Sequence, residues 1–221
     1  MITLSPRKEA FVQILGIDPG LHITGYAVVN VSGRRPQLKE AGVLRIAARR
    51  SLPERIADLY RQVAELLGEF NVAHVGVEQL YAHYKHPRTA ILMGHARGVI
   101  LLAATQAGVP VVDLPSTLVK KTITGNGHAG KMQIQRAVAA LCRLEKPPLS
   151  PDVADAIAIA WVLATRITMA SGVKLQSGDG QLSVVKPPPK RIRRNGKAPL
   201  RVRGGRLDGT TSRLTAADSA L

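Results

Sequence analysis

The sequence predicts an α/β fold in which helices cover both faces of a five-stranded mixed sheet. Apolar runs of strand length follow one another closely before residue 47, which indicates an antiparallel meander. After residue 50, segments with helical spacing of apolar residues alternate with short buried strands, as in parallel strand–helix–strand units. Because 45% of the 221 residues are hydrophobic, the chain can build one substantial core.

The meander begins with an apolar run at residues 11–17 that ends in one acid, Asp18. Pro19-Gly20 predicts a turn after it, because Pro fixes φ and Gly accepts a positive φ. A second apolar run at 23–31 returns, and a third strand is predicted over 37–46. Asp18 is therefore expected at the mouth of a hairpin, at the end of a central strand.

Helices and strands alternate in the rest of the predicted domain. Ser51 and Glu54 have the spacing of a capping box, which predicts the start of a helix that runs to Gly68. The strand that follows, 71–77, ends in Glu78. The remaining elements are predicted as a helix over 89–107, a strand over 109–114, a short helix over 118–121, a helix over 131–144 after the glycine-rich loop 125–130, and a last helix that begins at Ser150-Pro151.

The chain is strongly basic, with a formal net charge of +16 and a pI of about 10.8. An anionic partner is expected, nucleic acid first and an acidic membrane surface second. Residues 172–221 contain 11 Lys and Arg against 3 Asp and Glu, so half of the excess charge lies there. That composition predicts a disordered basic tail. We accordingly expect a flexible extension at 1–10 and one folded domain at 11–171.

Cysteine content and hydropathy bear on the location of the protein. Cys142 is the only cysteine, which excludes an intramolecular disulfide and a CxxC metal site. The N-terminus lacks the apolar stretch of a signal peptide, and no apolar run reaches the roughly 18 residues of a membrane helix. From these observations we expect a soluble, cytoplasmic protein.

Four acids in unusual surroundings suggest a shared site. Asp18 and Glu78 each end an apolar strand, whereas Asp152 and Asp155 lie three residues apart on one helix and so share a face. In open α/β sheets, functional groups gather beyond the carboxyl ends of the strands. Clustered carboxylates repel unless they hold protons or divalent cations, and oxygen ligands suit Mg²⁺ or Mn²⁺. Because two such ions can activate water against a phosphodiester, a basic protein with this cluster is typical of a metal-dependent nuclease.

Each acid also has a simpler interpretation. Asp18 could start the turn that follows it, and Glu78 could be a solvated strand end. Asp152 could be an acid favoured by the dipole at a helix N-terminus. Asp155 differs, because its apolar neighbours leave it little water and a buried unpaired carboxylate is costly. The metal-site interpretation therefore depends on the four acids together.

Four blocks of the sequence also carry a family resemblance. They are LGIDPG-x4-GYAVV, VGVEQLYAHYKHPRTAILMGHARGV, KKTITGNGHAGKMQIQ and DVADAIAIA, between about Ile14 and about Thr165. In order and spacing they resemble the RuvC family of Holliday-junction resolvases. The resemblance implies an RNase H-like fold and a cytoplasmic bacterial homodimer that pairs through the helix at 89–107. It also implies symmetric Mg²⁺-dependent nicking of two opposing strands of a four-way DNA junction, with 5′-phosphate and 3′-hydroxyl ends. RuvA and RuvB, the branch-migration complex, are the implied partners.

The same resemblance assigns roles to single residues. It gives catalytic metal-ligand positions, with two ions per site, to Asp18, Glu78, Asp152 and Asp155. Tyr81 falls where the family carries an aromatic, usually Phe, that stacks on a base near the crossover. Lys120 and Lys131 fall on basic positions near the scissile phosphate, and Lys131 is expected to stabilise developing charge. Lys121 and His128 are further candidates for DNA contacts. Residues 172–221 have no counterpart in the family core and could add DNA affinity or dock a partner.

Three other functions remain open on the sequence alone. Residues 125–131 match the G-x4-G-K of a phosphate loop, but Met132 stands where Mg²⁺ needs Ser or Thr, and residues 120–124 are not a clear buried strand. Actin-like and sugar-kinase folds also begin with an Asp-x-Gly hairpin. They need two such domains, and this chain is too short to form both. A non-catalytic junction-binding protein of the same fold is the third, although no acid is missing.

Overall fold

The computed structural model describes residues 11–32, 35–80, 87–148 and 150–170. The predicted extension at 1–10 and the predicted tail at 172–221 lie outside the described residues. Within these ranges the chain forms five strands and five helices. They are β1 (Val12–Asp18), β2 (Ile23–Ser32), β3 (Arg35–Arg45), α1 (Leu52–Glu69), β4 (Val72–Glu78), α2 (Pro87–Gln106), β5 (Val111–Leu114), α3 (Ser116–Thr124), α4 (Lys131–Cys142) and α5 (Pro151–Ala170).

The five strands form one mixed sheet in the order β3-β2-β1-β4-β5. β1 pairs antiparallel with β2, and β2 pairs antiparallel with β3. The β1–β4 and β4–β5 pairs are parallel. β1 is the central strand, so its last residue, Asp18, lies in the middle of one edge of the sheet. The predicted mixed sheet and the hairpin that follows Asp18 are thereby confirmed.

Helices cover both faces of the sheet and divide the apolar core into two parts. On one face, α1 and α2 cover a cluster that includes Leu15, Ile17 and Val77. On the other face, α5 packs against β1 and β2, with α3 and α4 beside it, around residues such as Ile14 and Ile159. Because successive strand residues point to opposite faces, residues 14, 16 and 18 of β1 lie on the α5 face.

Two glycines allow α5 to lie directly on the sheet. A Cβ at Gly16 would overlap with the backbone of Ala156, and a Cβ at Gly25 would overlap with the carbonyl group of Asp152. Gly25 is also the residue of β2 that pairs with Asp18. The missing side chains at these positions therefore bring the start of α5 beside the end of β1.

Some boundaries differ from those predicted. β5 begins at Val111 rather than residue 109, because the N–H of Val109 donates to the Ala104 carbonyl at the end of α2 and not to the sheet. α3 spans nine residues and not four, and it ends at Gly125, whose φ of 79° is left-handed. α2 begins at Pro87, earlier than predicted. Among the helices of the described ranges, none is long and apolar enough to cross a membrane.

The chain reverses between β1 and β2 as predicted, although the bend lies at residues 21–22, just after Pro19-Gly20, and the predicted reason for Gly20 is wrong. In the described ranges, positive φ values occur among glycines at Gly108 and Gly125, and Gly20 does not take one. A Cβ at Gly20 would instead overlap with the carbonyl oxygen of Ile23. The turn thus needs glycine for space and not for backbone conformation.

Candidate metal-binding active site

Two of the predicted site acids end neighbouring parallel strands. Ile17 of β1 pairs with Val77 of β4, and the next residues along the two strands are Asp18 and Glu78. Both acids are partly buried. Side-chain alternation places them on the α5 face of the sheet. The two carboxylates therefore share one edge and one face, at the carboxyl ends of β1 and β4.

Hydrogen bonds hold the loop that follows Asp18. The Thr24 hydroxyl donates to the Gly20 carbonyl at 2.5 Å, and the Gly20 N–H donates to the same hydroxyl at 3.2 Å. Arg55 of α1 is 8% exposed and donates to the Leu21 carbonyl from Nη2 at 2.6 Å and from Nε at 3.2 Å. Sequence reasoning missed Arg55. The signal available was a cation in the buried stripe of an otherwise amphipathic helix.

The first turns of α5 supply the other two acids. Asp152 and Asp155 are partly buried, and a side-chain oxygen of Asp152 accepts a hydrogen bond from Ser150 Oγ at 3.0 Å. The backbone of Asp152 lies against Gly25 of β2, the residue paired with Asp18. The helix acids thus reach the same end of the sheet as the strand acids.

The charges of all three other acids act on Asp18. Burial raises the pKa of Asp18 well above its ordinary value, and the negative charges of Glu78, Asp155 and Asp152 raise it further in that order. Lys131 opposes these effects and lowers the pKa. Charge–charge interactions of this kind act over short distances, so the four acids form one electrostatic group.

The pKa values of two further carboxyl groups in this cluster are also raised. Burial raises the pKa of Glu78, against the opposing effects of a hydrogen bond from the Ser116 side chain and the positive charge of Lys120. Burial and then the charge of Glu78 raise the pKa of Asp155 to about 6, and Lys120 again opposes the shift. Each carboxylate would therefore be stabilised by additional positive charge in its neighbourhood.

The donor set fits a divalent cation. Four carboxylates offer only oxygen ligands, which is the preference of Mg²⁺ and Mn²⁺. Burial and mutual repulsion are the two costs that a cation bound among them would offset. Among the residues that the structure describes, however, no three His, Cys, Asp or Glu side chains lie close enough together to hold a metal ion as they stand. The arrangement is accordingly an electrostatic cluster of acids, and its metal-ligand role stays a prediction.

A cavity of about 150 Å³ opens beside the acids. Glu78 and Asp155 contribute acidic groups to its lining, and Ser116 and Lys120 of α3 line it as well. Sequence reasoning selected Lys120 but not Ser116, although the position of Ser116 directly after the strand end was visible. The remaining lining side chains are apolar: Val119, Ile123, Ile134, Ala158 and Ile159.

Of the predicted DNA-contacting residues, Lys120 lines this cavity, and the structure also describes Lys121, His128 and Lys131. Lys131 is the first residue of α4 and is exposed, as are Lys121 and His128. Lys120 is partly buried. Tyr81, the predicted base-stacking residue, lies outside the described residues.

The phosphate-loop alternative does not fit the fold. A phosphate loop connects a buried strand to a helix. Here the segment before the glycines is the helix α3. Gly125 caps the C-terminus of α3, and Gly130 caps the N-terminus of α4. The G-x4-G-K pattern is therefore a helix–loop–helix connection, as the polar segment before it indicated.

Comparison with known proteins adds a family and a set of relatives. A family model described as crossover junction endodeoxyribonuclease RuvC matches residues 14–162. The crossover junction endodeoxyribonuclease RuvC of Rhodopirellula baltica is 52% identical over 156 residues, which are 71% of this chain and 88% of that protein. The protein of the same name from Pelotomaculum thermopropionicum is 39% identical over 74% of this chain and 99% of its own length.

Solved structures give the same result. Thermus thermophilus RuvC in complex with a Holliday junction substrate superposes with a TM-score of 0.67 and 32% identity, over 72% of this chain and 97% of that one. A yeast mitochondrial Holliday junction resolvase, with a TM-score of 0.52 and 14% identity over 72% of this chain and 81% of its own, shares the fold alone. The predicted RNase H-like architecture is thereby confirmed.

Proposed function

Since the chain belongs to the RuvC family of crossover junction endodeoxyribonucleases, we propose that it resolves four-way DNA junctions by paired, symmetric nicks. The main structural support for this proposal is the electrostatic group formed by the four acids. They come from two strand ends and one helix, and the pKa of Asp18 responds to all three of the others. In this proposal, residues 11–171 form the nuclease domain, and the nicks leave 5′-phosphate and 3′-hydroxyl ends.

The proposed cofactor is Mg²⁺, with Mn²⁺ as a substitute and two ions per site. Asp18, Glu78, Asp152 and Asp155 would hold them. Bound there, the ions would supply Lewis-acid activation of water and stabilisation of the leaving oxygen. A carboxyl group must lose its proton before it can bind a cation. Because the pKa values of Asp18 and Asp155 are raised, we expect cations and protons to compete for these two groups.

The basic residues around the acids would bind the DNA backbone. Lys131 acts on both Asp18 and Asp155 electrostatically, so its charge is close enough to stabilise a negative phosphate drawn to the acids. Lys120 lines the cavity, and the exposed Lys121 and His128 would add further contacts to the DNA. Tyr81 would stack on a base near the crossover. Binding should weaken steeply with salt, because phosphate contacts release counterions.

A homodimer would present two such sites to the two equivalent strands of a junction. The proposed contact is α2, where Ile91 is 60% exposed and Leu102 is 50% exposed. Exposed apolar side chains of this size on one helix favour burial against a partner. RuvA and RuvB are the further partners that we propose from the family. The basic residues of 172–221 would add non-specific affinity for DNA or dock a partner.

The test is cleavage of a synthetic four-way junction beside a linear duplex of the same sequence, with Mg²⁺ or with a chelator. We expect paired nicks on the junction only, and only with Mg²⁺. Asp18→Asn should lower the cleavage rate by roughly a thousandfold or more, since it removes one ligand of the cations, and should leave junction binding intact. Cutting by Asp18→Asn at the rate of the unsubstituted protein would contradict the assignment of the acids. Junction binding without cutting would instead favour a non-catalytic binding protein.

A further inference from the structure

The corner between β5 and α3 is tied to the strand that carries Glu78. Leu114, the last residue of β5, pairs with Glu78 in the parallel register. The N–H of Gln79 donates to the Leu114 carbonyl at 3.0 Å. α3 then begins at Ser116, two residues later. The start of α3 is therefore held in a fixed position relative to the end of β4.

Ser116 and Lys120 lie one helical turn apart and face the same cavity as Glu78 and Asp155. Ser116 is partly buried, lines the same cavity as Glu78, and lowers the pKa of Glu78 as a side-chain hydrogen-bond partner. Because an ionised carboxylate only accepts hydrogen bonds, the Ser116 hydroxyl must be the donor. A neutral hydroxyl on a neighbouring helix is thus one of the polar groups that act on Glu78, beside the charge of Lys120.

The two α3 side chains differ in what they can do once a cation is present. The ammonium group of Lys120 stabilises Glu78 and Asp155 through its charge, so it would be repelled by a cation bound to the same oxygens. The Ser116 hydroxyl carries no net charge, so its bond to Glu78 can persist beside a cation. Outer hydrogen-bond partners of this kind orient ligating carboxylates in metal sites.

We propose that Ser116 is a positioning residue for Glu78: its hydroxyl hydrogen-bonds to the Glu78 carboxylate and orients it toward Asp18 and Asp155, the acids that would hold a divalent cation with it. The inference rests on the proposed function, in which Glu78 is a metal ligand. It adds α3 to the elements that build the centre.

The test compares full-length variants at Ser116 by calorimetric titration with Mn²⁺ in the absence of DNA. Ser116→Thr keeps the hydroxyl, and Ser116→Val has the same shape as the threonine without a donor. We expect Ser116→Thr to bind Mn²⁺ like the unsubstituted protein, and Ser116→Val and Ser116→Ala to bind it about 10- to 100-fold more weakly. Thr122→Ala is the control, because Thr122 is an exposed α3 residue whose hydroxyl donates to the Leu118 carbonyl within the helix. It should change the affinity by less than about twofold.

Cleavage provides a second readout. The Mg²⁺ concentration for half-maximal cutting should rise in Ser116→Val by about the same factor as the loss of Mn²⁺ affinity, while junction binding in chelator stays unchanged. Equal Mn²⁺ affinities for Ser116→Thr and Ser116→Val would overturn the role of Ser116 while leaving the proposed function standing. If the unsubstituted protein itself neither bound Mn²⁺ nor cut junctions, the proposed function and the role of Ser116 would both be wrong.

Discussion

The four site acids are held in two different ways. The strand acids, Asp18 and Glu78, are the last residues of paired strands, so the hydrogen-bond ladder between β1 and β4 sets the position of their backbone. The helix acids, Asp152 and Asp155, belong to α5, which shares no ladder with the sheet. Their position depends on how closely the helix backbone can approach β1 and β2. One half of the site is thus fixed by strand register, and the other half by packing distance.

The packing distance in turn depends on glycine. At Gly25 the carbonyl group of Asp152 occupies the space that any side chain would need. Strand register tolerates most substitutions, because each residue of a strand projects its side chain away from the ladder. A helix seated directly on the backbone of a strand has no such tolerance. The comparison therefore predicts that the helix acids are the more easily displaced pair.

The largest effect is expected from Gly25→Ala. The new Cβ would overlap with the Asp152 carbonyl and push the start of α5 from the sheet, which should destabilise the fold by about 3 kcal/mol or more. Because a displacement of about 1 Å in catalytic groups can cost a hundredfold in rate, cleavage should fall by at least that factor. Denaturant unfolding and junction cleavage measure the two effects.

Gly68→Ala is the matched control for Gly25→Ala. Gly68 lies in α1, and nothing would contact a Cβ added there. Alanine favours the helix, so we expect a gain of about 0.5–1 kcal/mol and unchanged cleavage. Similar behaviour of the two variants would show that the approach of α5 to β2 does not set the site.

A second prediction concerns the dependence of stability on pH, which distinguishes an acid of the helix pair from an acid of the strand pair. The folded pKa of Asp155 is raised from 3.8 to about 6, so the folded state binds this proton more tightly than the unfolded state does. Without divalent cations, the contribution of Asp155 to stability is therefore fully present below a pH of about 4 and is lost as the pH rises to about 6, by up to about 3 kcal/mol. Unfolding in chelator across this range measures the fall.

Substitutions apportion that fall between the strand and helix acids. Asp155→Asn should remove the part between pH 4 and 6, because the amide does not titrate. Asp18→Asn should remove a further part of the fall, since burial and the three other acids raise the pKa of Asp18 well above its ordinary value. Mn²⁺ should flatten the profile of the unsubstituted protein. A profile that is already flat in chelator would contradict the electrostatic group.

The smallest effect on stability is expected at Arg55, which donates hydrogen bonds to the loop that follows the strand acid Asp18. Arg55→Met removes both donors to the Leu21 carbonyl in the loop after Asp18, which should cost about 1–3 kcal/mol. Arg61→Met on the same helix is the control, because its guanidinium is exposed and bonds only to Asp58 among the described contacts. That change should stay within about 0.5 kcal/mol. Thermal or denaturant unfolding distinguishes the two, and equal losses would contradict a special role for Arg55.

The strand acids could be predicted from the sequence because their signal is local. An apolar run that ends in one acid already places the carboxylate at the edge of a sheet, and β1 and β4 follow this pattern. The helix acids were predicted by their spacing and apolar surroundings. Their grouping with Asp18 was inferred from the general rule that functional groups gather at the carboxyl ends of strands, whereas the strand order that places them there came only with the structure.

Contacts between elements distant in sequence were beyond prediction. Gly16 and Gly25 read as ordinary strand glycines until α5 is seen against them. Arg55 and Ser116 act through a loop and a strand that lie 34 and 38 residues before them. At Gly20 the sequence indicated the right residue for the wrong reason, because a backbone preference is local whereas the overlap with the Ile23 carbonyl depends on the path of the returning strand.

The location of Asp152 and Asp155 on α5, the last helix of the described chain, has a consequence for synthesis. A nascent chain that has emerged from the ribosome only as far as α4 carries the basic surface and two of the acids, but lacks the rest of the centre. Such a chain could meet DNA without being able to cut it. Under the proposed role of the four acids, this order of elements predicts that the chain gains cutting activity only after α5 has been translated and has packed against the sheet.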